Sequence, residues 1–155
     1  MTLDKTKADV RKLKDMDYVV YDKEWLKTAD PETPLYYMWR GQAESENEAK
    51  KIKEAGLRFA ITEFAPMTLG IEFIKTVGHG HSLVPNTNIS YPETYEVLEG
   101  EIYFLMQSHK DIGKLKKAYT VHCFPGDKCI VPPNFQHISI NPTKNKAVLA
   151  NWEPI

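Results

Sequence analysis

The sequence predicts an all-β fold, a sandwich or barrel of short strands that follows an N-terminal stretch with one or two short helices. From Leu57 onward, short apolar and β-branched runs alternate with turns that contain Pro, Gly or Asn. Many short strands broken by such turns are typical of sandwiches and barrels. The predicted strands are 57–64, 69–77, 93–98, 101–107, 119–123, 127–131, 136–141 and 146–152.

Residues 1–56 have a different pattern. The apolar runs 18–21 and 35–39 predict two strands, and residues 22–27 predict a short helix. The sequence Ser45-x-x-Glu48 has the capping-box pattern and predicts a helix over 47–55, which Gly56 ends. No linker or repeat divides the chain. We therefore expect a single domain over 1–155, in which residues 1–56 form an N-terminal extension that packs on a barrel of residues 57–153.

Length and charge restrict the class of protein. The 155 residues suffice for one domain with a buried core, and the net charge of −1 provides no basic surface for nucleic acid or anionic membranes. No apolar run is long enough to cross a bilayer, and the N-terminus is polar from its first residues. Cys123 and Cys129 lack CxxC spacing and are interpreted as small buried residues in a reduced compartment. We expect a cytoplasmic protein without nucleic-acid or membrane partners.

Three histidines and one glutamate lie in segments that otherwise read as strand. His79 and His81 are two residues apart, so on a strand their side chains point to the same face. Glu93 begins a later strand, and His137 follows a turn that starts another. Glu93 shares a face with Tyr95 and Val97, which sets it apart from the neighbouring Glu96 on the opposite face. These residues are the predicted ligands of one metal ion.

The donor set restricts the metal. Three neutral imidazoles and one carboxylate suit Fe, Mn, Ni, Co, Cu or Zn rather than Ca or Mg, and the set contains no thiolate that would favour a closed structural zinc site. Four protein ligands on a metal that prefers six leave two positions for adjacent oxygens of a substrate. The residues alone therefore predict metal-dependent chemistry on a small, oxygen-rich molecule.

Two motifs in these segments resemble those of the cupin superfamily, a family of single-domain jelly-roll β-barrels. The first cupin motif, G-x5-HxH-x3,4-E-x6-G, is matched by His79, His81, Glu93 and Gly100, but eleven residues (82–92) separate His81 from Glu93. The second, G-x5-PxG-x2-H-x3-N, is matched from Gly126 to Asn141, with Asn134 at the position that usually holds Gly. The extra residues 82–92 are interpreted as a loop inserted at the mouth of the site.

A narrower resemblance covers most of the chain. It links the sequence to the cupin-type glucose-6-phosphate isomerases, which are typical of archaea and some bacteria. The Arg-x-Leu-x-Asp-Met sequence at 11–16 and Pro-Glu-x-Tyr at 92–95 select this family among cupins. The matching segments are 10–16, 34–36, 78–81, 92–100 and 131–133.

The resemblance implies an isomerase that interconverts glucose 6-phosphate and fructose 6-phosphate in glycolysis and gluconeogenesis. A metal that chelates O1 and O2 of the substrate would promote either an enediol route or a hydride shift. We expect one divalent transition metal ion, with Fe²⁺ first and Mn²⁺, Ni²⁺, Co²⁺ or Zn²⁺ as alternatives. By resemblance, the metal ligands are His79, His81, Glu93 and His137, the catalytic residues are Glu93 and Tyr95, and the substrate-binding residues are Tyr36, Thr62, Thr76, Gly78 and Tyr95.

Other interpretations remain open from the sequence. A cupin dioxygenase that uses Fe or Ni would carry the same ligand set, and a non-catalytic sugar-binding cupin would bind substrate without turnover. No Gly-rich phosphate loop is present, so hydroxyls, backbone N–H groups or a Lys would bind the phosphate. The sequence ends just past the last strand, where longer family members continue into a tail that helps close the pocket, and loop 82–92 is a candidate replacement. We also expect a homodimer, since small cupins commonly dimerise.

Overall fold

A computed structural model describes residues 3–111 and 114–155 of the chain. These residues form eleven strands, two α-helices and three short 3-10 helices. The helices are α1 (Lys23–Leu26) and α2 (Glu46–Glu54), and the 3-10 helices are Lys5–Lys7, Leu13–Asp15 and Asp17–Val19. The strands are β1 (Asp9–Lys12), β2 (Pro34–Arg40), β3 (Leu57–Phe64), β4 (Thr68–Leu69), β5 (Glu72–Lys75), β6 (Glu93–Glu99), β7 (Ile102–Asp111), β8 (Lys114–Cys123), β9 (Lys128–Val131), β10 (Gln136–Asn141) and β11 (Ala147–Pro154).

The strands form two antiparallel sheets. One has six strands in the order β1-β2-β3-β11-β6-β9, and the other has five in the order β4-β5-β10-β7-β8. Side chains from both sheets meet in one core, in which Phe64, Val97 and Phe104 are completely buried. The predicted all-β architecture is confirmed, and the structure divides its strands between two sheets. None of the helices in the two described ranges is both long and apolar enough to span a bilayer.

Strand β6 contributes buried side chains to the site, because its side chains alternate between the interior and the surface. Its residues are buried and partly exposed in turn from Glu93 to Val97. This strand pairs with β11 on one side and β9 on the other. The alternation therefore directs Glu93, Tyr95 and Val97 into the interior, as expected for a strand with one face on the core.

The helix predicted over 47–55 is confirmed as α2. Ser45 is its N-cap, and its Oγ accepts a hydrogen bond of 3.2 Å from the Glu48 N–H. Gly56 follows the helix with a φ of +68°, a conformation that glycine adopts without strain. The shorter helix α1 begins after Asp22, whose Oδ1 accepts a hydrogen bond of 2.9 Å from the Trp25 N–H.

Two N-terminal elements differ from the sequence prediction. The predicted strand at 18–21 is wrong, because Asp17–Val19 forms a 3-10 helix in which the Val20 N–H bonds to the Asp17 carbonyl. Val20 is buried there, whereas Tyr18 and Tyr21 are exposed. The first strand is instead β1, which pairs with β2 and joins residues of the N-terminal extension to the six-stranded sheet.

Gly100, in the turn between β6 and β7, has a φ of +74°. A Cβ atom there would lie 2.8 Å from the Lys146 carbonyl oxygen. We expect Gly100→Ala to lower the free energy of unfolding by about 2–4 kcal/mol, because left-handed strain and a backbone clash add together. Urea unfolding measures this loss.

Gly41→Ala is the matched control for this substitution. Gly41 has a φ of +71°, but a Cβ would meet no atom within 4 Å. It should lose only about 1 kcal/mol, the cost of the left-handed conformation alone. Equal losses in the two variants would contradict the proposed clash at Gly100.

Candidate metal centre

Three separate segments bring the four predicted ligands together. His79 and His81 lie in the extended stretch after β5, Glu93 is the first residue of β6, and His137 is the second residue of β10. One nitrogen from each imidazole and one carboxylate oxygen all lie within 4.8 Å of one another. This four-residue group, which we call the His₃Glu group, could hold a metal ion.

The main chain sets the spacing of two of the histidines. His79 and His137 form an antiparallel bridge: the His79 N–H donates to the His137 carbonyl at 3.2 Å, and the His137 N–H donates to the His79 carbonyl at 2.9 Å. His81 then follows two residues later, with its side chain in the same group. The imidazoles of His81 and His137 are nearly parallel, with ring centroids 5.5 Å apart.

Glu93 lies at the centre of the group. Its Oε2 is 3.0 Å from Nε2 of His81, 3.0 Å from Nε2 of His137 and 3.9 Å from Nε2 of His79. Glu96, on the opposite face of β6, instead forms an ion pair of 3.1 Å with Lys128 at the surface. Strand alternation therefore places one of the neighbouring glutamates in the group and the other outside it.

The electrostatics of the group favour an ionised carboxylate. Burial raises the pKa of Glu93, but the contacts with His137 and His81 lower it more, and the result is a pKa of about 2. The close contact with the Glu93 carboxylate raises the pKa of His81, whereas burial and the neighbouring His137 lower the pKa of His79. Glu93 is therefore negatively charged at neutral pH.

Two further side chains hold the Glu93 carboxylate. Tyr95 Oη donates a hydrogen bond of 2.8 Å to Oε2 and lies 2.8 Å from Nε2 of His137. Asn151 Nδ2 donates a hydrogen bond of 2.6 Å to the other oxygen, Oε1. Burial, followed by the charge on Glu93, raises the pKa of Tyr95 well above its usual value, so its hydroxyl stays protonated. Asn151 was not among the predicted site residues, although a polar residue inside the apolar strand β11 is a usable signal.

The donor chemistry fits a transition metal ion. Three imidazoles and a carboxylate form a nitrogen-rich set with an overall negative charge. Nε2 of His81 is buried and lies 3.0 Å from Glu93 Oε2, but the two atoms are not aligned for a hydrogen bond. A buried polar atom without a well-aligned partner is unfavourable, and a bound cation would give His81 Nε2 such a partner.

Metal affinity should depend on pH because a proton and a metal ion compete for His81 Nε2. The raised pKa of His81 means that this competition begins at a higher pH than for an ordinary histidine. The affinity for the metal ion should reach its maximum above the pKa of His81 and should fall about tenfold per pH unit below that pKa. Equilibrium dialysis with Co²⁺ measures this pH dependence from about pH 8 to about pH 5.5, the range in which histidine side chains titrate.

The control for this prediction is His122→Gln. His122 lies outside the His₃Glu group, where its Nε2 is 2.6 Å from Glu101 Oε2. This variant should show the same pH profile as the parent chain. Co²⁺ affinity that stays constant across the range would contradict competition at His81.

A cavity of about 290 Å³ adjoins the group. Its wall includes His79, a member of the His₃Glu group, and Tyr95, which donates a hydrogen bond to Glu93. Of the predicted substrate-binding residues, Tyr36, Thr62 and Thr76 also line it, whereas Gly78 does not and lies against Ile138. The remaining lining residues are Arg11, Met38, Arg40, Arg58, Ala60, Val77, Ser139, Leu149, Asn151 and Glu153.

Loop 82–92 is attached to the turn that precedes His137. The Ser90 N–H donates to Oδ1 of Asn134 at 2.7 Å, and the Asn134 N–H donates to Oγ of Ser90 at 2.7 Å. Asn134 has a φ of +66°, the left-handed conformation expected where the motif usually has Gly. No residue of this loop belongs to the described wall of the cavity.

Solved structures with a similar fold extend over most of the chain. Oxalate oxidase superposes with a TM-score of 0.55 and 19% identity over 85% of this chain and 57% of that one. Peruvianin-I, a cysteine peptidase from Thevetia peruviana latex, has a TM-score of 0.53 and 19% identity over 76% of this chain and 60% of that one. At this identity the likeness shows the fold alone, and the predicted all-β fold class is confirmed.

Sequence comparison identifies the family. The family model described as "Glucose-6-phosphate isomerase (GPI)" matches residues 10–155. The glucose-6-phosphate isomerase of Thermococcus litoralis is 31% identical over 90% of this chain and 65% of its own length. That of Pyrococcus furiosus is 30% identical over 87% of this chain and 64% of its own length. The chain thus spans about 65% of the length of these curated relatives, and it belongs to the glucose-6-phosphate isomerase family.

Proposed function

We propose that the chain is a metal-dependent aldose–ketose isomerase that interconverts glucose 6-phosphate and fructose 6-phosphate. One observation carries the proposal: the cavity wall includes His79, a member of the His₃Glu group, and Tyr95, which donates a hydrogen bond to Glu93. The family match over residues 10–155 supplies the substrate class. A ligand set beside a cavity lined by hydroxyls and arginines suits a small polar substrate that carries an anionic group.

The proposed ligands are His79, His81, Glu93 and His137. Fe²⁺ is the proposed metal, and Mn²⁺, Ni²⁺, Co²⁺ and Zn²⁺ also suit this donor set. A divalent ion held there would polarise the substrate carbonyl and stabilise negative charge on the two adjacent oxygens. Tyr36, Thr62, Thr76 and Tyr95 are proposed to orient the sugar, since all four line the cavity. The backbone of Gly78 is proposed to assist from just outside the wall.

Glu93 is proposed to hold the metal rather than to move a proton. Both of its oxygens already accept hydrogen bonds, and a carboxylate with a pKa of about 2 is a weak base at neutral pH. Tyr95, which stays protonated, is proposed to relay the proton from O2 to O1. Hydride moves from C2 to C1 at the same time, so C1 gains one hydrogen, O1 gains the proton that O2 loses, and C2 becomes the ketone.

An isotope label tests this assignment. In a hydride shift, deuterium at C2 of glucose 6-phosphate should be found mainly at C1 of fructose 6-phosphate after turnover in ordinary water. Mass spectrometry of the product measures the retained label. Complete exchange with solvent would instead show a proton-transfer route, in which Glu93 acts as the base.

The activity itself is tested by removing and restoring the metal. Chelated protein should be inactive in a coupled assay for fructose 6-phosphate, and reconstitution with Fe²⁺, Mn²⁺, Ni²⁺, Co²⁺ or Zn²⁺ should restore turnover with at least one ion. Activity that survives complete demetallation would overturn the proposal. Oxygen consumption without isomerisation would indicate a dioxygenase, and substrate binding without turnover with any metal would indicate a sugar-binding protein.

We also propose a domain organisation, a cellular location and an oligomeric state for the chain. Residues 1–155 are proposed to work as one domain, supported by the pairing of β1 and β2 with β3 and by Tyr36 of β2 in the cavity wall. A cytoplasmic location is in keeping with Cys123 and Cys129, which are buried and free. A homodimer is supported by exposed Leu115 and Tyr119 on β8, an edge strand, and light scattering would measure the mass.

A further inference from the structure

Three arginines contribute to the cavity wall, and carboxylates neutralise two of them. Arg40 forms an ion pair with Asp9, and Arg58 forms one with Glu153 at 3.0 Å. Their guanidinium charges are therefore balanced within the protein. These two arginines leave little net positive charge available for a ligand in the cavity.

Arg11 differs from the other two arginines. It lies in β1, partly buried at the cavity wall, and it forms no ion pair with any described residue. Its Nε is buried and has no hydrogen-bond partner in the described part of the chain. A buried donor on a permanent charge is costly unless an acceptor meets it, and an anionic ligand would provide that acceptor.

The position of Arg11 connects it to the His₃Glu group. Its partner across the β1–β2 pair is Tyr36, and the two side chains share the cavity. Tyr36 Oη accepts a hydrogen bond of 3.4 Å from the Val77 N–H, and Nδ1 of His79 lies 3.4 Å from the Val77 carbonyl oxygen. One continuous wall therefore runs from the guanidinium to the first metal ligand.

We propose that Arg11 is the residue that binds the phosphate group of the substrate. A guanidinium presents N–H donors in a planar fork that matches two oxygens of a phosphate, and its charge is permanent. One end of the ligand is then fixed at Arg11 while the reacting carbons face His79 and Tyr95. The identity of the ligand as a sugar phosphate rests on the proposed function, whereas anion binding by Arg11 does not.

Direct binding of inorganic phosphate tests the proposal. Titration calorimetry on the metal-loaded protein should show that Arg11→Ala raises the phosphate Kd about 10- to 100-fold, since a charge-assisted contact is lost. Arg11→Lys, which keeps the charge but not the fork, should raise it about 3- to 10-fold. In steady-state assays, Arg11→Ala should raise the KM for fructose 6-phosphate while kcat changes less than about threefold.

Arg40→Ala is the matched control, because it removes the same charge from the same wall but a charge already paired with Asp9. It should change the phosphate Kd less than about threefold. Equal weakening in Arg40→Ala and Arg11→Ala would overturn the proposal, as would a parent chain that does not bind phosphate at millimolar concentration. Circular dichroism checks folding, and if Arg11→Ala is misfolded, the Arg11→Lys result decides: an unchanged Kd overturns the proposal.

The binding experiment separates this inference from the proposed function. A parent chain that binds phosphate through Arg11 but isomerises nothing would overturn the isomerase and support the anion site. If the parent chain isomerises normally and folded Arg11→Ala binds phosphate with an unchanged Kd, only the anion site is overturned.

Discussion

Replacing Glu93 by Gln is expected to remove the proposed metal ion and to lower the proposed isomerase activity at least about 1,000-fold. Glu93 provides the one negative charge of the His₃Glu group, and its Oε2 lies 3.0 Å from the Nε2 atoms of both His81 and His137. A neutral amide would leave three imidazoles and no charge to balance a divalent cation. Metal content by plasma mass spectrometry should fall from about one ion per chain to less than about 0.1.

His137→Ala should have a similar effect, because it removes a proposed ligand that is almost completely buried. Glu96→Gln is the matched control, since Glu96 lies three positions along the same strand but forms its ion pair with Lys128 at the surface. This control should keep its metal and its activity. Stoichiometric metal in Glu93→Gln and His137→Ala would show that the ion binds elsewhere in the chain.

Tyr95→Phe is expected to lower kcat about 100-fold while leaving the metal in place. The substitution removes only the hydroxyl that donates to Glu93 and is proposed to relay the proton between O2 and O1. The aromatic ring would still pack on Phe104, whose centroid is 4.9 Å away. Steady-state kinetics together with metal analysis measures both quantities on one preparation.

The control for this variant is Tyr103→Phe. Tyr103 stacks on His122, with centroids 4.0 Å apart, and has no contact with the His₃Glu group among those the structure describes. Its kcat should remain within about twofold of the parent value. A Tyr95→Phe variant with unchanged kcat and full metal content would remove Tyr95 from the mechanism, whereas loss of metal would reduce its role to positioning Glu93.

The sequence was a good guide to the barrel because its strands are regular. The predicted ranges 57–64 and 136–141 have the same bounds in the structure as β3 and β10. Strand alternation also distinguished Glu93 from Glu96. Local pattern suffices in these cases because one face of each strand is buried and the other is not.

The N-terminal elements were harder to predict. Strand β1 has four residues, three of them charged, so its amino-acid pattern contains no alternation to detect. The apolar run at 18–21 resembles a strand, yet only Val20 of it is completely buried, while Tyr18 and Tyr21 face solvent. Tertiary packing overrides local propensity in such short segments.

The residues that line the cavity could be identified only from the three-dimensional fold. Arg11, Arg40 and Arg58 lie on three different strands, and only the antiparallel register of β1, β2 and β3 places them on one wall. Asn151 meets Glu93 because β11 pairs with β6 across a separation of 58 residues. No sequence motif joins positions that far apart, and the expectation that hydroxyls, backbone groups or a Lys would bind phosphate therefore named no arginine.

The backbone bridge between His79 and His137 has a consequence for how the centre is assembled. Two main-chain hydrogen bonds hold the backbones of these two proposed ligands at a fixed separation, so their backbone placement is established when the sheets form. The conformational entropy of ordering the ligands is then lost during folding and not during metal uptake. A centre preorganised in this way should exchange one divalent ion for another while the barrel stays folded.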